Sequence, residues 1–220
     1  MPSAVEIMAE LAALEEPKLR AANAERGDDH GVNLSALRAI AKRLKTQHEL
    51  ALELWASGDT AARLLATLIA RPRTFSADEL DAMIRDIRAP KLLDWFVTNL
   101  VKPGKHAEDL RLRWKDEPDL VGRAGWSLTT GRVVKTAQGL ELATLLDEIE
   151  AEMKDAPEPK QWAMNHCLAE IGIHHPKYRT RAIRIGEKLK VLIDYPASPG
   201  CTPPYAPIWI TEMVRRQDVG

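Results

Sequence analysis

Apolar residues return at three- and four-residue steps along almost the whole chain, as in the stretch "LSALRAIAKRL". No stretch alternates cleanly between hairpin turns, so the period is that of a helix and the fold class is all-α. Helices are expected at about 3–15, 17–26, 34–46, 48–57, 60–70, 77–87, 91–101, 106–115, 119–135, 139–153, 159–172, 177–190 and 207–216, with boundaries good to about two to four residues. Short helices joined by short gaps lie antiparallel to their neighbours, and a long series of them points to an α-solenoid of stacked helical hairpins. The sequence shows no crisp fixed-period repeat, so the repeats are degenerate.

Several boundaries carry chemical signals. Ser76 with Glu79 fits a capping box, and Asp59 after Gly58 suits the N-cap of "TAARLLATLIA". Pro90, Pro118, Pro176 and Pro207 fall where a first helical turn tolerates a missing N–H. The segment "DYPASPGCTPPYAPIWI" breaks the pattern, because Pro196, Pro199, Pro203 and Pro204 forbid helix and favour an extended, stiff loop over residues 194–207. Tyr205 and Trp209, four apart around Pro207, are expected to dock on one surface and pin the last helix. The organisation expected is a single domain over residues 1–220, closed by this wrapping loop and a final helix.

Composition narrows the class. The chain has 220 residues, 45% hydrophobic and 29% charged, with a net charge of −1. The apolar stretch Leu64 to Ala70, interrupted by Thr67, falls far short of the about 20 residues that span a bilayer. The N-terminal stretch reads as an acidic amphipathic helix rather than an export signal. Two cysteines, Cys167 and Cys201, make no disulfide framework, although one bridge is open to them, and a reducing, cytoplasmic setting is the simplest expectation. Charge is uneven: acids dominate Asp147 to Glu158, and Lys and Arg dominate Lys177 to Lys190. A basic face is compatible with the neutral total.

Candidate chemistry is sparse. Trp162, His166 and Glu170 stand at i, i+4 and i+8, which puts them on one helix face, with Glu170 able to orient the imidazole. In "KLLDWFVTNL", Asp94 lies beside Trp95 and within helical reach of Lys91 and Thr98. It reads either as the partner of a Lys91–Asp94 surface pair with Trp95 turned into the core, as a supporting polar residue, or as a catalytic carboxylate. His166, Cys167, His174 and Cys201 match no recognised zinc spacing, so no metal is expected. Cys167 reads as a small buried hydrophobe.

The stretches "HGVNLSALRAIAKRL", "HELALELWASGDTAARLLATLI", "LVGRAGWSL" and "WAMNHCLAEIGIHHPKYRTRAI" occur in that order over about residues 30 to 190. In this order they resemble the bacterial DNA alkylation repair family of HEAT-like alkylpurine glycosylases, the AlkD-like proteins. The resemblance implies a curved helical array whose concave basic face cradles duplex DNA, and release of N3- or N7-alkylated purines with no metal or organic cofactor; a monomer is the simplest expectation for the chain. Such chemistry asks for a carboxylate that stabilises an oxocarbenium-like sugar and positions water. The family carries it on a helix reading roughly Trp-Asp-x-x-Asp, the second Asp being catalytic. Aligned on "LLDWFV", Leu93 takes the tryptophan position, Asp94 the first acid and Val97 the catalytic position, so the carboxylate is replaced. The family's DNA-backbone arginine falls on Arg123, and its second aromatic wall on His166. Enzyme activity is therefore open. If it persists, Asp94 or Glu170 is the candidate carboxylate, Arg123 the phosphate clamp, and His166 with Trp126 or Trp162 the walls, with Lys91 and Arg132 as further DNA contacts. The alternatives are a module that binds distorted DNA without chemistry and a HEAT-repeat scaffold for protein partners.

Overall fold

The computed structural model describes residues 2–198 and 200–219; Pro199, expected in the proline-rich loop, lies outside them. Among the described residues there are thirteen α-helices and no strand. They are α1 (Ala4–Ala13), α2 (Pro17–Ala24), α3 (Leu34–Leu44), α4 (His48–Ala56), α5 (Thr60–Ile69), α6 (Ala77–Arg85), α7 (Pro90–Phe96), α8 (Ala107–Lys115), α9 (Asp119–Lys135), α10 (Leu142–Glu152), α11 (Glu158–His174), α12 (Pro176–Leu189) and α13 (Ala206–Val219). Every expected helix is present. The chain forms two compact units, Met1–Leu110 and Arg111–Gly220. Among the described residues no helix is long and apolar enough to cross a membrane.

Helix starts follow the sequence chemistry. Ser76 accepts from the N–H of Glu79 while the Glu79 carboxylate accepts from the N–H of Ser76, the reciprocal pair of a capping box. Asp59 Oδ1 accepts from the N–H of Ala62 at the start of α5. Pro90 and Pro176 open α7 and α12. One segment departs from the expected helix over 91–101. After Phe96 the backbone widens into a π-helical turn, Val97–Val101, in which the N–H of Lys102 donates to Val97 O at 2.9 Å. Pro103 follows, without the N–H that an α-helix would direct at the carbonyl of Asn99.

In the first unit α5 is the hub, packed against α3, α4 and α7. Its short residues Thr60, Ala61, Ala62, Ala66 and Thr67 are buried together with Leu64, Leu65 and Ile69, so it is enclosed on most sides. In the second unit α11 plays that part and packs against α9, α10, α12 and α13. Its buried set runs from Ala163 and Met164 through Cys167, Leu168 and Ala169 to Ile171 and Ile173. Close approach is bought with glycine at two places. A Cβ on Gly125 of α9 would lie 2.3 Å from Lys115 N and 2.5 Å from its Cα. One on Gly172 of α11 would lie 2.6 Å from Ile210 Cδ1, so the last helix seats its isoleucine in that notch.

The two cysteines are free thiols. Cys167 is fully buried, and burial pushes its thiol up to about 12, as an inert core residue requires.

Candidate nucleic-acid interface

In the first unit the face of α7 and its π-helical continuation is not the one assigned above. Leu93 and Val97 are 1% and 2% exposed and belong to the core. A carboxylate or an indole at those positions could not reach a ligand, so the register that placed the family's tryptophan on Leu93 and its catalytic acid on Val97 is corrected. Trp95 and Asn99 have the same four-residue spacing and are half-buried at the surface. The Arg38 guanidinium lies 5.0 Å from the Trp95 ring centroid, so Trp95 is not turned wholly into the core. Asn99 Nδ2 donates to Thr67 Oγ1 at 3.2 Å, and the Thr67 hydroxyl donates to Leu64 O at 2.8 Å. The polar group on this face is thus the neutral amide of Asn99.

Asp94 is exposed on α7. Lys91 is half-buried, and its backbone N–H donates to Asp28 Oδ1 at 2.9 Å, with Asp28 itself buried. That bond satisfies one of the orphan donors at the start of α7, as a cap would.

In the second unit α9 carries Arg123, Trp126 and Arg132. Trp126 is 1% exposed, its indole N–H finds no hydrogen-bond partner among the described residues, and Lys115 Nζ sits 5.4 Å from its ring centroid. It is therefore a core residue rather than a wall for DNA. Burial pushes the Lys115 ammonium down, but Glu148 at 2.5 Å and Asp116 at 3.1 Å outweigh it and hold the group above its ordinary value. Arg132 donates from Nη2 to Gln138 O at 2.7 Å and from Nε to Thr136 O at 3.3 Å, closing the C-terminal end of α9. Arg123 is half-buried one turn into α9.

On α11 the expected face of Trp162, His166 and Glu170 extends one step further. Glu170 Oε1 meets His166 Nε2 at 3.1 Å, and Glu170 Oε2 meets His174 Nε2 at 3.0 Å. The zinc pattern gives His174 no role, whereas its i+4 relation to Glu170 is the signal that places it. Among the described residues no cluster of three side chains suits a metal ion. Trp162 is half-buried with its ring edge-on to Tyr195, centroids 5.0 Å apart. His166 stacks on Trp209 of α13 at 5.1 Å and 8°. The expectation that Tyr205 and Trp209 share one surface is thus corrected: Tyr205 lines a cavity of about 420 Å³ with Ile183 and Glu187 of α12, while Trp209 packs on α11.

The hydrogen bond to His166 holds the Glu170 carboxyl below its ordinary value of 4.5 against the opposing effect of burial, and His174 adds to the lowering. A depressed carboxylate contributes stability above its unfolded pKa and loses it as pH falls through the folded one. Glu170→Gln is therefore expected to lower thermal stability at neutral pH. The gap to the native protein should close as pH falls below about 4.5. Melting curves of both proteins across that range check this.

A family model described as DNA alkylation repair enzyme matches residues 7–210. No curated protein matches the chain. A solved structure is similar over 98% of this chain and 95% of its own, at a TM-score of 0.81 and 23% identity. It is described as belonging to a new family of proteins related to the HEAT-like repeat DNA glycosylases with affinity for branched DNA structures. At that identity the likeness is one of fold, which is thereby a HEAT-like helical repeat. The match of the family model over nearly the whole length settles membership: the chain belongs to the DNA alkylation repair enzyme family.

Proposed function

We propose that this protein binds DNA, including distorted or branched DNA, and does not release alkylated bases. The observation that carries the second half is the Trp95–Asn99 face, where the accessible polar group is a neutral amide already engaged with Thr67. Excision of a cationic alkylpurine develops positive charge on the sugar, and a fixed carboxylate stabilises that charge far better than an amide dipole. Asp94 stands five positions before Asn99 and does not substitute for it, because a misplacement of about 1 Å can cost such chemistry about 100-fold. Binding draws support from family membership and from the branched-DNA affinity ascribed to the protein of similar fold. Duplex or junction phosphates are the contacts that Arg123 is suited to make, through a guanidinium that presents several fixed donors.

Binding is tested by titrating labelled duplex and three-way-junction DNA at several salt concentrations. The native protein should lose affinity steeply as salt rises, as counterion release demands. Arg123→Ala should weaken binding and flatten the slope of log K against log salt by about 0.9, one phosphate contact. Salt-independent binding, or an Arg123→Ala slope equal to the native one, would count against the assignment.

A further inference from the structure

Three of the six tryptophans, Trp55, Trp114 and Trp126, are buried in the usual way, but Trp162 and Trp209 are left half-exposed in the second unit. Each is paired with another ring. Trp162 meets Tyr195 edge-on at 5.0 Å, and Trp209 lies parallel to His166 at 5.1 Å. Because Trp162 and His166 are one helical turn apart on α11, the two pairs are neighbours on one helix face. Two ring pairs drawn from three separate segments thus lie along one helix face, where Tyr195 is 47% exposed and the His166 side chain 41%.

The strip is held in place before any ligand arrives. Asn165 Nδ2 donates to Pro204 O at 2.8 Å, tying the proline-rich segment to α11, and Ile210 fills the notch at Gly172 next to Trp209 on α13. The carboxylate on the same face, Glu170, is bracketed by His166 and His174. Arg216 follows Trp209 by seven residues, two turns along α13; it donates to the Thr202 hydroxyl at 3.0 Å and also acts electrostatically on the Glu212 carboxylate. Planar rings with polar edges, rigidly presented and accompanied by a cation, are what an unstacked nucleobase and its phosphate require. A continuous duplex keeps its base faces covered and has little to offer such a surface.

Resting on the DNA-binding reading above, we propose that Trp162, Tyr195, His166 and Trp209 form a stacking platform for unpaired nucleobases, as found in single strands and at branch points. The test uses the full chain with three labelled probes: an oligothymidylate, a fully paired hairpin and a three-way junction. Tyr195→Ala, at an exposed position, and Trp209→Leu should each weaken oligothymidylate and junction binding by about tenfold while leaving hairpin binding within about twofold. In the native protein the indole N–H resonances of Trp162 and Trp209 should shift on adding oligothymidylate, a readout independent of how the variants fold. Native protein that binds the hairpin but not oligothymidylate, or variants that bind it as well as native, would overturn the platform and leave the DNA-binding reading standing. Native protein that binds none of the three probes would overturn both.

Discussion

Val97→Asp is expected to destabilise the protein severely rather than to endow it with activity. Val97 is 2% exposed at the start of the π-helical turn, in a stretch whose Leu92, Leu93, Phe96, Leu100 and Val101 are also buried. The substitution forfeits the burial of a valine, about 1.5–3 kcal/mol, and places a carboxylate where it has no solvent. A total cost above about 4 kcal/mol follows, in the range reserved for unpaired buried charge. For a chain of this size that corresponds to a melting temperature lower by about 8–16 °C or to loss of the folded first unit. Thermal unfolding followed by circular dichroism reads it directly. Wild-type stability in this variant would restore Val97 to the surface and with it the original alignment.

Gly125→Ala is expected to be nearly as costly, for a different reason. The added methyl would meet Lys115 N at 2.3 Å, Lys115 Cα at 2.5 Å and the Trp114 carbonyl carbon at 2.6 Å. All three are backbone atoms, so no side-chain rotation relieves the overlap. Overpacking commonly costs about 1–3 kcal/mol, and a backbone clash belongs at or above the top of that range. The helix favours alanine over glycine by only about 1 kcal/mol, which does not compensate. Arg123 lies two residues before Gly125, so pushing α9 away also displaces the candidate phosphate contact. Urea unfolding should show a midpoint shift of at least about 1 M for a slope of about 3 kcal/mol/M. An unchanged midpoint would mean that α9 does not lie against the end of α8 as described.

The helices were legible in the sequence because their signals are local. A period near 3.6, a Ser76–Glu79 capping box and prolines at Pro90 and Pro176 fix where each helix begins without reference to the rest of the molecule. The face each helix presents is not local. In "LLDWFVTN" two residue pairs share the same four-residue spacing, Leu93 with Val97 and Trp95 with Asn99, and only the packing of α7 against α5 decides which pair is inside. The acid beside a tryptophan marks Asp94 as the local signal, although leucine and valine are the better core residues. Trp126 was illegible in the same way: a tryptophan suits either a binding wall or a core, and its place under Lys115 depends on the glycine contact at Gly125. Local spacing did find the Trp162–His166–Glu170 face. It missed Tyr195 and Trp209, which reach that face from segments about 30 to 45 residues away across a proline-rich loop.

On the proposed reading, this member of the family holds DNA without excising bases because Asn99 presents an amide where a carboxylate would act. The direct measurement is release of N7-methylguanine and N3-methyladenine from alkylated DNA, compared with spontaneous depurination, for the native protein and for Asn99→Asp. Asparagine and aspartate are nearly isosteric, so the change costs chiefly the bond from Nδ2 to Thr67, about 1–2 kcal/mol. Release is expected at the spontaneous rate for the native protein and at least about tenfold faster for Asn99→Asp, equivalent to about 1.4 kcal/mol of transition-state stabilisation. Native protein that excises either base well above the spontaneous rate would contradict it.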